Sequence, residues 1–537
     1  MIQQHVSEGC LTDQLTFDFG AAGPSGKVRP GALKSGTSSE IPGRILSRQD
    51  EHIGIDDDEL HADKLREECG VFGILGNPDA AALTALGLHA LQHRGQEAAG
   101  IVSYDGEHFH SERRLGLVGD HFTSGKVIER LQGDMAIGHV RYSTTGETIL
   151  RNVQPLFADL WGGGFAIAHN GNFTNAITLR NDLVRAGAIF QSTSDTETIL
   201  QLVARSQEPR TVDRFVDALS HIEGAYALVV LTNKKLIGAR DPLGIRPLVL
   251  GMLDGAPIFC SETVALDIIG AEFVREVEPG EIVVATKDGI ESIRPFPQRE
   301  VRPCVFEYIY FARPDSVVGG KSVYNVRKRL GEELARESHV DADVVIPVPD
   351  SGVPAAIGYA GESNIPFELG IIRNHYVGRT FIEPTQHIRQ LGVKLKHNAN
   401  RAIVEGKRII LVDDSVVRGT TSIKIVQMMY EAGATEVHLR VASPPITHSD
   451  YYGIDTPERQ QLLAANYDLE GMRNFIGVDS LAFISVDGLY RAMDFEGRDP
   501  ENPQLTDHCF TGDYPTPLVD RDGEQKTRQL SLLAEIA

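Results

Sequence analysis

Two adjacent carboxylates, Asp413 and Asp414, follow the apolar run IILV at 409–412. Shortly afterwards a glycine and two hydroxyl side chains stand where a helical pattern begins, at Gly419, Thr420 and Thr421. Backbone N–H groups and hydroxyls at a helix N-terminus bind phosphate. Paired carboxylates suit ribose hydroxyls or a hard cation such as Mg2+. The run therefore predicts a site for a phosphorylated ribose, although a buried strand with an acidic helix cap is the plainer alternative.

A second loop of similar design comes earlier in the chain. The apolar run VVIPVP at 344–349 is followed by Asp350, Ser351 and Gly352, and a helical pattern then opens with VPAA. Backbone N–H groups at this helix start suit further phosphate groups. Taken alone, the same residues also fit an ordinary turn between a strand and a helix. A basic stretch at 374–399, which includes Arg379, lies between the two loops in an otherwise acidic chain.

The run around the two carboxylates resembles the fingerprint of type I phosphoribosyltransferases, which bind phosphoribosyl pyrophosphate (PRPP). The resemblance implies that both loops bind PRPP and that the basic stretch folds over it as a flap. The residues it indicates are Asp350, Ser351, Gly352, Arg379, Asp413, Asp414, Gly419, Thr420 and Thr421. It also implies one Mg2+ per subunit, held by Ser351, Asp413 and Asp414.

Cys69 stands where patterned sequence begins, immediately before the strand pattern VFGIL at 71–75. A lone cysteine is most often a small core residue, and for Cys69 alone that alternative stays open. Three further motifs change the balance: LQHRGQEAAGI at 91–101, GHVRYSTTG at 138–146 and AIAHNGNFTN at 166–175. Each places polar or glycine residues at the end of an apolar pattern, as a loop-built active site requires.

Together these motifs resemble the glutaminase domain of class II glutamine amidotransferases, a branch of the N-terminal-nucleophile hydrolases. The resemblance implies that Cys69 attacks the glutamine amide while Asn170 and Gly171 stabilise the oxyanion. It also implies glutamine contacts from Arg94, Gly95, Arg141 and Asp195. Arg141 would hold the α-carboxylate and Asp195 the α-ammonium group, although an ordinary ion pair is the alternative for both.

The same resemblance implies cleavage of the chain between Glu68 and Cys69. Cleavage would place the thiol and a free α-amino group on one residue. An α-amino group titrates at roughly 7.7–8.0, so it can relay the thiol proton near neutral pH. A chain that kept residues 1–68 would lack this base.

The elements that must position these residues fall into two groups. For residues 69–300 the resemblance implies an α+β fold, the αββα sandwich of the N-terminal-nucleophile hydrolases. For residues 301–510, alternating strand and helix patterns predict a doubly wound α/β phosphoribosyltransferase domain with its site at the strand carboxyl ends. Residues 1–68 are rich in Gly, Ser, Gln and charge, and are predicted to be a disordered leader. Residues 511–537 form a weakly patterned tail.

Periodicity predicts the individual elements. The clearest strands are Val71–Leu75, Ala136–Tyr142, Phe165–Gly171, Ala225–Leu231, Glu281–Thr286, Val344–Pro349, Ile409–Val412 and Val437–Pro445. The clearest helices of the first half are Ala80–Gln92, Thr174–Ala186 and Asp195–Arg205.

Composition excludes several classes of protein. The formal net charge of −22 opposes binding to nucleic acid or acidic membranes. No apolar run approaches the roughly 18 residues of a membrane span. Five scattered cysteines fit a reducing compartment, so a cytoplasmic location is expected. The N-terminus lacks a basic region followed by an apolar stretch, and no secretory signal is expected.

A class II glutaminase fused to a type I phosphoribosyltransferase resembles the amidophosphoribosyltransferase family. The resemblance implies the first step of de novo purine synthesis, in which PRPP, glutamine and water give 5-phosphoribosylamine, glutamate and pyrophosphate. It also implies inhibition by purine nucleotides and a homotetramer. One alternative is a nucleotide-sensing regulatory protein without turnover, and another is a glutaminase fused to a sugar-phosphate isomerase; the intact site residues disfavour the first and the Asp-Asp loop the second.

Many members of that family hold a 4Fe–4S cluster on four cysteines. In this chain Cys304 and Cys509 stand at two of those positions, while Asp450 and Thr506 stand at the others. Since four thiolates normally hold such a cluster, we expect none here.

Overall fold

The computed structural model describes residues 69–142, 149–374 and 397–521. These residues belong to one compact unit, Ile55–Ala537. The predictions for the leader at 1–68, for Arg379 with most of the basic stretch, and for the tail beyond 521 lie outside the described residues. Within the described ranges, no helix has the length and apolar character needed to cross a bilayer.

Two antiparallel sheets form the first half of the described chain. Their strands are β1 Gly70–Leu75, β2 Ala98–Tyr104, β3 Phe109–Leu115, β4 Met135–Arg141, β5 Leu156–Leu160, β6 Gly163–Phe173, β7 Gly224–Thr232, β8 Leu236–Arg240, β9 Val249–Leu253, β10 Ala256–Cys260, β11 Glu272–Glu276, β12 Ile282–Thr286 and β13 Gly289–Ile293. One sheet has the order β11-β9-β10-β1-β4-β2-β3, and the other has the order β13-β12-β8-β7-β6-β5.

Helices cover the outer faces of these sheets. They are α1 Ala80–Ala90, α2 Val118–His121, α3 Gly125–Ile128, α4 Ala176–Arg185, α5 Thr196–Arg205, α6 Thr211–Ser220 and α7 Val264–Ile269. Val71 and Val229 belong to the apolar layer between the two sheets. Leu88 of α1 packs on the outer face of one sheet and Phe215 of α6 on that of the other. The predicted αββα sandwich is therefore confirmed.

The second half contains a four-stranded parallel sheet of order β16-β19-β20-β21. Its strands and the short pairs beside it are β14 Val317–Val318, β15 Lys321–Ser322, β16 Val344–Pro347, β17 Ile371–Arg373, β18 His397–Ala399, β19 Arg408–Asp413, β20 Glu436–Val441 and β21 Ser480–Phe483. The helices are α8 Val323–Glu337, α9 Val353–Ser363, α10 Arg401–Val404, α11 Thr420–Glu431, α12 Leu463–Asn466, α13 Leu469–Ile476, α14 Val486–Ala492 and α15 His508–Thr511.

Alternate residues of the parallel strands face opposite layers, as buried parallel strands require. Val345 packs towards α8 and α9, whereas Ile346 packs towards the layer that contains α11. Both faces are thus covered by helices, and the doubly wound fold is confirmed. A short π-helix, Glu307–Phe311, precedes α8 and joins the two halves. Leu243 and Ile245 of the first half pack into the same apolar core as this π-helix.

The predicted strands and helices are present, with shifted ends. The helix predicted to reach Gln92 ends at Ala90, and a short 3-10 turn, Gln92–Arg94, follows it. The strand predicted to reach Pro445 ends at Val441, the last residue that pairs with β21. These ends differ because periodicity reports burial, and burial continues beyond the regular backbone hydrogen bonds.

Candidate active sites

Cys69 lies directly before β1 and is buried. Gly70 pairs with Val140 across β1 and β4, so Cys69 is brought beside the end of β4, where Arg141 stands. The Cys69 Sγ lies 3.5 Å from the backbone oxygen of Tyr142. A Cβ on Gly95 would lie 2.6 Å from the backbone nitrogen of Arg141, so any larger residue at position 95 would clash with the backbone of β4.

The charges around the thiol act in opposite directions. Burial raises the pKa of the Cys69 thiol, and the Arg141 guanidinium lowers it only in part. Asp195 Oδ2 accepts a hydrogen bond from the backbone N–H of Phe173 at 3.2 Å, so this carboxylate lies beside the end of β6. Burial disfavours ionisation of Asp195, but His169 together with the backbone N–H groups of Phe173 and Thr196 outweighs that effect and holds the pKa of Asp195 below its ordinary value. Cys69 and Arg141 are therefore adjacent at the ends of β1 and β4, and Asp195 lies beside the end of β6.

The predicted oxyanion donors lie on β6, in the second sheet. Gly171 has φ 137°, and a Cβ there would lie 2.1 Å from the backbone oxygen of Ala225, so glycine is required. The side chain of Asn170 is fully buried. Neither its Nδ2 nor its Oδ1 has a hydrogen-bond partner among the described residues. A buried side-chain amide without a hydrogen-bond partner is rare, and a ligand or an ordered water usually satisfies it.

Arg94 lies beside Cys69, but most of its guanidinium contacts are with other residues. Its Nε lies 3.4 Å from the backbone oxygen of Cys69. Its Nη1 donates to Glu262 at 2.6 Å, and its Nη2 donates to Glu307 at 2.7 Å. Since the side chain is almost inaccessible, Arg94 contacts the nucleophile's backbone while it is held by two carboxylates.

The second site lies at the carboxyl ends of β16 and β19. These strands pair in parallel, with Pro347 opposite Val412, so the loops that follow them stand side by side. A Cβ on Gly352 would lie 2.5 Å from the backbone oxygen of Val412, which shows how closely the loops pack. Gly419 has φ 81° and caps α11, where the predicted phosphate-binding hydroxyls begin.

Three polar side-chain atoms in these loops are buried without a hydrogen-bond partner among the described residues. They are Ser351 Oγ, Asp414 Oδ2 and Thr420 Oγ1. The other oxygen of Asp414 accepts a hydrogen bond from Ser415 Oγ at 2.9 Å. Asp350 at the rim forms an ion pair with Arg373. The loops thus hold their acidic residues in place while leaving oxygen atoms for a ligand.

These oxygens fit the predicted Mg2+. A hydroxyl and two carboxylates are the hard donors that Mg2+ prefers, and a partnerless Asp414 oxygen is available to it. The residues that would hold the ion are Ser351, Asp413 and Asp414, which stays a prediction. Arg379 lies outside the described residues.

The residues at the cysteine positions do not fit a 4Fe–4S cluster. Cys304 and Cys509 are both buried, and the backbone of Cys304 pairs with that of Thr506. Asp450 Oδ2 lies 2.9 Å from His508 Nε2, which in turn lies 3.4 Å from Cys509 Sγ. Two thiols, a carboxylate and a hydroxyl are not the four thiolates such a cluster takes.

Several buried charges near Cys69 are not predicted by the sequence. Glu262, Glu307 and Arg246 are buried and contact one another through Arg94 or directly. Glu307 lies within the segment FEYIYFARPDS, but nothing in the local pattern indicates its partner. Only the tertiary structure reveals this pairing, because Arg94 and Glu307 are far apart in sequence.

Two family models match the chain. A glutamine amidotransferase domain matches residues 139–267, and a phosphoribosyl transferase domain matches residues 321–444. The amidophosphoribosyltransferase of Rhizobium etli is 65% identical over 89% of this chain and 98% of its own length. That of Bacillus subtilis is 49% identical over 84% of this chain and 95% of its own.

Solved structures agree with these sequence matches. The glutamine PRPP amidotransferase of B. subtilis, solved with ADP and GMP, matches with a TM-score of 0.80 and 48% identity. The match covers 84% of this chain and 98% of that structure. Both halves of the fold, both loop systems and the near full-length matches agree, and the chain belongs to the amidophosphoribosyltransferase family, the enzymes of the first step of purine biosynthesis.

Proposed function

We propose that this chain hydrolyses glutamine at Cys69 and uses the ammonia at the Asp413–Asp414 loop, where it displaces pyrophosphate from PRPP. The products are glutamate, pyrophosphate and 5-phosphoribosylamine. The partnerless buried polar atoms at both centres carry this proposal, since Asn170 in one and Ser351, Asp414 and Thr420 in the other await ligands.

In the first reaction the Cys69 sulfur attacks the amide carbon of glutamine, and the carbon–nitrogen bond breaks to release ammonia. Water then hydrolyses the thioester to glutamate. Asn170 Nδ2 and the Gly171 backbone N–H would donate to the oxyanion, while Arg141 and Asp195 hold the amino-acid end of the substrate. Because burial raises the pKa of the thiol, a nearby base is needed. Cleavage before Cys69 would supply it as a free α-amino group.

In the second reaction ammonia attacks the anomeric carbon of PRPP, and the bond from that carbon to the pyrophosphate oxygen breaks. N–H groups of the loop that contains Ser351 and Gly352 would bind the leaving pyrophosphate. The hydroxyls after Gly419 and the carboxylates Asp413 and Asp414 would hold the phosphorylated ribose. When bound, Mg2+ supplies positive charge that stabilises the departing pyrophosphate.

Further properties belong to the same proposal. Purine nucleotides are proposed as inhibitors, which is supported by the ADP and GMP named with the B. subtilis structure. We also propose a homotetramer in the cytoplasm, one Mg2+ per subunit and no 4Fe–4S cluster. The last is supported by the donor set around Cys304 and Cys509.

Glutamate and pyrophosphate release should be measured together in the purified chain with glutamine and Mg2+, with and without PRPP. With PRPP present, we expect glutamate and pyrophosphate in equal amounts. Without PRPP, we expect no pyrophosphate. Glutamate without pyrophosphate in the presence of PRPP would contradict the proposed acceptor. If the measured mass shows that the chain starts at Cys69 and neither product appears, the regulatory alternative would be favoured.

A Cys69→Ser variant separates the two centres. It should lose turnover with glutamine and keep turnover with free ammonia, because ammonia needs only the second site. Loss of the ammonia reaction in a folded variant would show that the two centres are not separate.

A further inference from the structure

Two buried carboxylates of the second half, Glu307 and Asp450, reach the glutamine centre in the first half. We propose that both are positioning residues for glutamine hydrolysis, Glu307 through Arg94 at Cys69, and Asp450 through its own loop at Gly171. This proposal rests on the proposed roles of Cys69 and Gly171. Neither carboxylate is proposed to contact the substrate. Each fixes the backbone of a residue that does, Cys69 in one case and Gly171 in the other.

The first arm runs from Glu307 to the backbone of Cys69. Both oxygens of Glu307 accept hydrogen bonds from Arg94, at 2.7 Å and 3.0 Å. The Arg94 Nε lies 3.4 Å from the Cys69 carbonyl oxygen. Such a paired, planar geometry fixes the orientation of the guanidinium as well as its position. The backbone of the nucleophile is therefore held against a side chain whose direction Glu307 sets.

The arginine of this arm stays charged although it is buried. Burial disfavours its charge, but Glu307 and Glu262 outweigh that effect and raise the pKa of Arg94 above its ordinary value. Glu262 is itself tied to the second half, since its second oxygen accepts from Arg313 N at 2.9 Å and from Ser316 Oγ at 2.6 Å. The arm is thus anchored in the second half at more than one point.

The second arm is the loop 450–454, which lies against Gly171. Asp450 Oδ1 accepts from the backbone N–H of Tyr452 at 2.7 Å and of Ile454 at 2.8 Å, and so fixes the loop. Gly453 has φ 124°, and a Cβ on it would lie 3.1 Å from the carbonyl carbon of Gly171. The loop therefore presses its backbone against the proposed oxyanion residue.

A further hydrogen bond holds this loop to β6. Asn172 Nδ2 donates to the backbone oxygen of Tyr451 at 3.0 Å. Asp450 Oδ2 lies 2.9 Å from His508 Nε2, so the same carboxylate is also in close contact with α15. Asp450 therefore determines where the loop meets the strand of Gly171.

Arg246 joins the two arms. It is fully buried, with Nη1 3.4 Å from Glu307 Oε1 and Nε 3.2 Å from the backbone oxygen of Tyr452. The carboxylate of one arm and the loop of the other thus share one guanidinium. A change in either carboxylate is expected to affect the same centre.

The first arm is fastened to the helices that carry the PRPP loop. Arg327 of α8 donates to the backbone oxygens of Tyr308 at 2.7 Å and Ala312 at 2.8 Å, which lie in and just after the π-helix of Glu307. A Cβ on Gly331 of α8 would lie 1.8 Å from the backbone oxygen of Ala355 in α9, so these helices are in close backbone contact. α9 begins directly after Gly352. The contacts from Arg94 through Glu307, α8 and α9 therefore connect the proposed glutamine site to the proposed phosphate-binding loop.

Glu307→Gln tests the first arm, since it keeps the shape of the side chain and removes its charge. We expect kcat/KM for glutamine to fall by at least about tenfold while ammonia-dependent pyrophosphate release stays within about twofold. Alkylation of Cys69 by an electrophilic glutamine analogue should slow in parallel. Glu281→Gln is the matched control. Glu281 is also a buried carboxylate that accepts hydrogen bonds from Nη1 and Nη2 of one arginine, Arg275, but it lies on neither arm.

Asp450→Ala and Asp450→Asn test the second arm. Alanine removes the acceptor for both loop N–H groups, whereas asparagine keeps one oxygen for them. We expect alanine to lower kcat with glutamine by at least about tenfold with a smaller change in KM, and asparagine to restore most of it. Ammonia-dependent release in the alanine variant confirms that the second site is still folded.

Several results would overturn the proposal. Equal loss of glutamine and ammonia turnover would make either carboxylate a general structural residue. Unchanged glutamine kinetics in both Glu307→Gln and Asp450→Ala would remove their positioning role. Asp450, His508 and Cys509 also place ligand atoms within 4.8 Å of one another, so one equivalent of zinc or iron bound there would make Asp450 a metal ligand instead of a positioning residue. Wild-type protein that releases no glutamate would instead refute the proposed function.

Discussion

Gly352→Ala adds one methyl group between the two loops of the proposed PRPP site. The new Cβ would lie 2.5 Å from the backbone oxygen of Val412 and 2.9 Å from that of Val348. Val412 O already accepts a hydrogen bond from Val348 N at 2.9 Å, so the backbone on both sides is constrained. Ordinary van der Waals contact begins near 3.4 Å, and the loops must separate by roughly 0.9 Å to accept the methyl group.

This separation moves Asp413 and Asp414 relative to Ser351, because Val412 directly precedes the two carboxylates. A misplacement of about 1 Å in a reacting geometry costs on the order of 100-fold in rate. We therefore expect pyrophosphate release to fall by about that factor with glutamine and with ammonia alike. The measurement is the initial rate at saturating PRPP and Mg2+, for both nitrogen donors.

Gly361→Ala in the same helix, α9, is the control. A Cβ there meets nothing within 4 Å, so only the helix-stabilising effect of alanine, about 0.5–1 kcal/mol, should remain. This variant should keep full activity and a melting temperature at or above that of the parent. Gly352→Ala with turnover within about twofold of the parent would refute the reasoning, because the tight loop contact would then not set the site geometry.

Three other changes have separate expected outcomes. Gly171→Ala would place a Cβ 2.1 Å from the backbone oxygen of Ala225, so glutamine turnover should vanish while ammonia turnover remains, as product assays with each donor can show. Asp414→Asn should raise the Mg2+ concentration needed for half-maximal ammonia-dependent turnover, because it weakens an oxygen donor; an unchanged Mg2+ titration would contradict this. Burial and the charge of Arg141 lower the pKa of His139 to about 3 from its ordinary value of 6.5. Because only the unfolded chain takes up this proton below pH 6.5, stability should fall by up to about 1.4 kcal/mol per pH unit towards pH 3, and denaturant unfolding of His139→Gln should show a shallower fall.

The parts of the fold predicted from sequence are those encoded in short segments. The run at 409–421 contains a strand, two carboxylates and a glycine-started helix, and β19 and α11 occur there as predicted. Gly171 is singled out by its motif as an oxyanion residue, but the steric need for glycine there comes from Ala225 on the neighbouring strand and cannot be read from the local sequence. Element ends were less accurate, since apolar periodicity continues into loops such as the one after Val441.

The contacts between the halves were not predicted, because they join residues far apart in sequence. Arg94 was expected at the glutamine pocket, yet its guanidinium pairs with Glu262 and Glu307. No local pattern distinguishes a glutamate that will be buried against an arginine from one on the surface. These pairs can be predicted only when the tertiary arrangement is known. That arrangement includes the positions of the two sheets, the path of the π-helix at 307–311 and the position of the loop 450–454.

Asp450 illustrates how a residue that departs from a family motif can still serve the fold. Its carboxylate accepts two backbone N–H groups of its loop and lies at hydrogen-bond distance from His508. A thiol at this position is a weaker acceptor and would hold the two loop N–H groups less well. The aspartate therefore fixes its own loop by hydrogen bonds and lies in close contact with the imidazole beside Cys509. Since the loop that Asp450 fixes lies against Gly171, this departure from the cysteine pattern bears directly on the proposed glutamine chemistry.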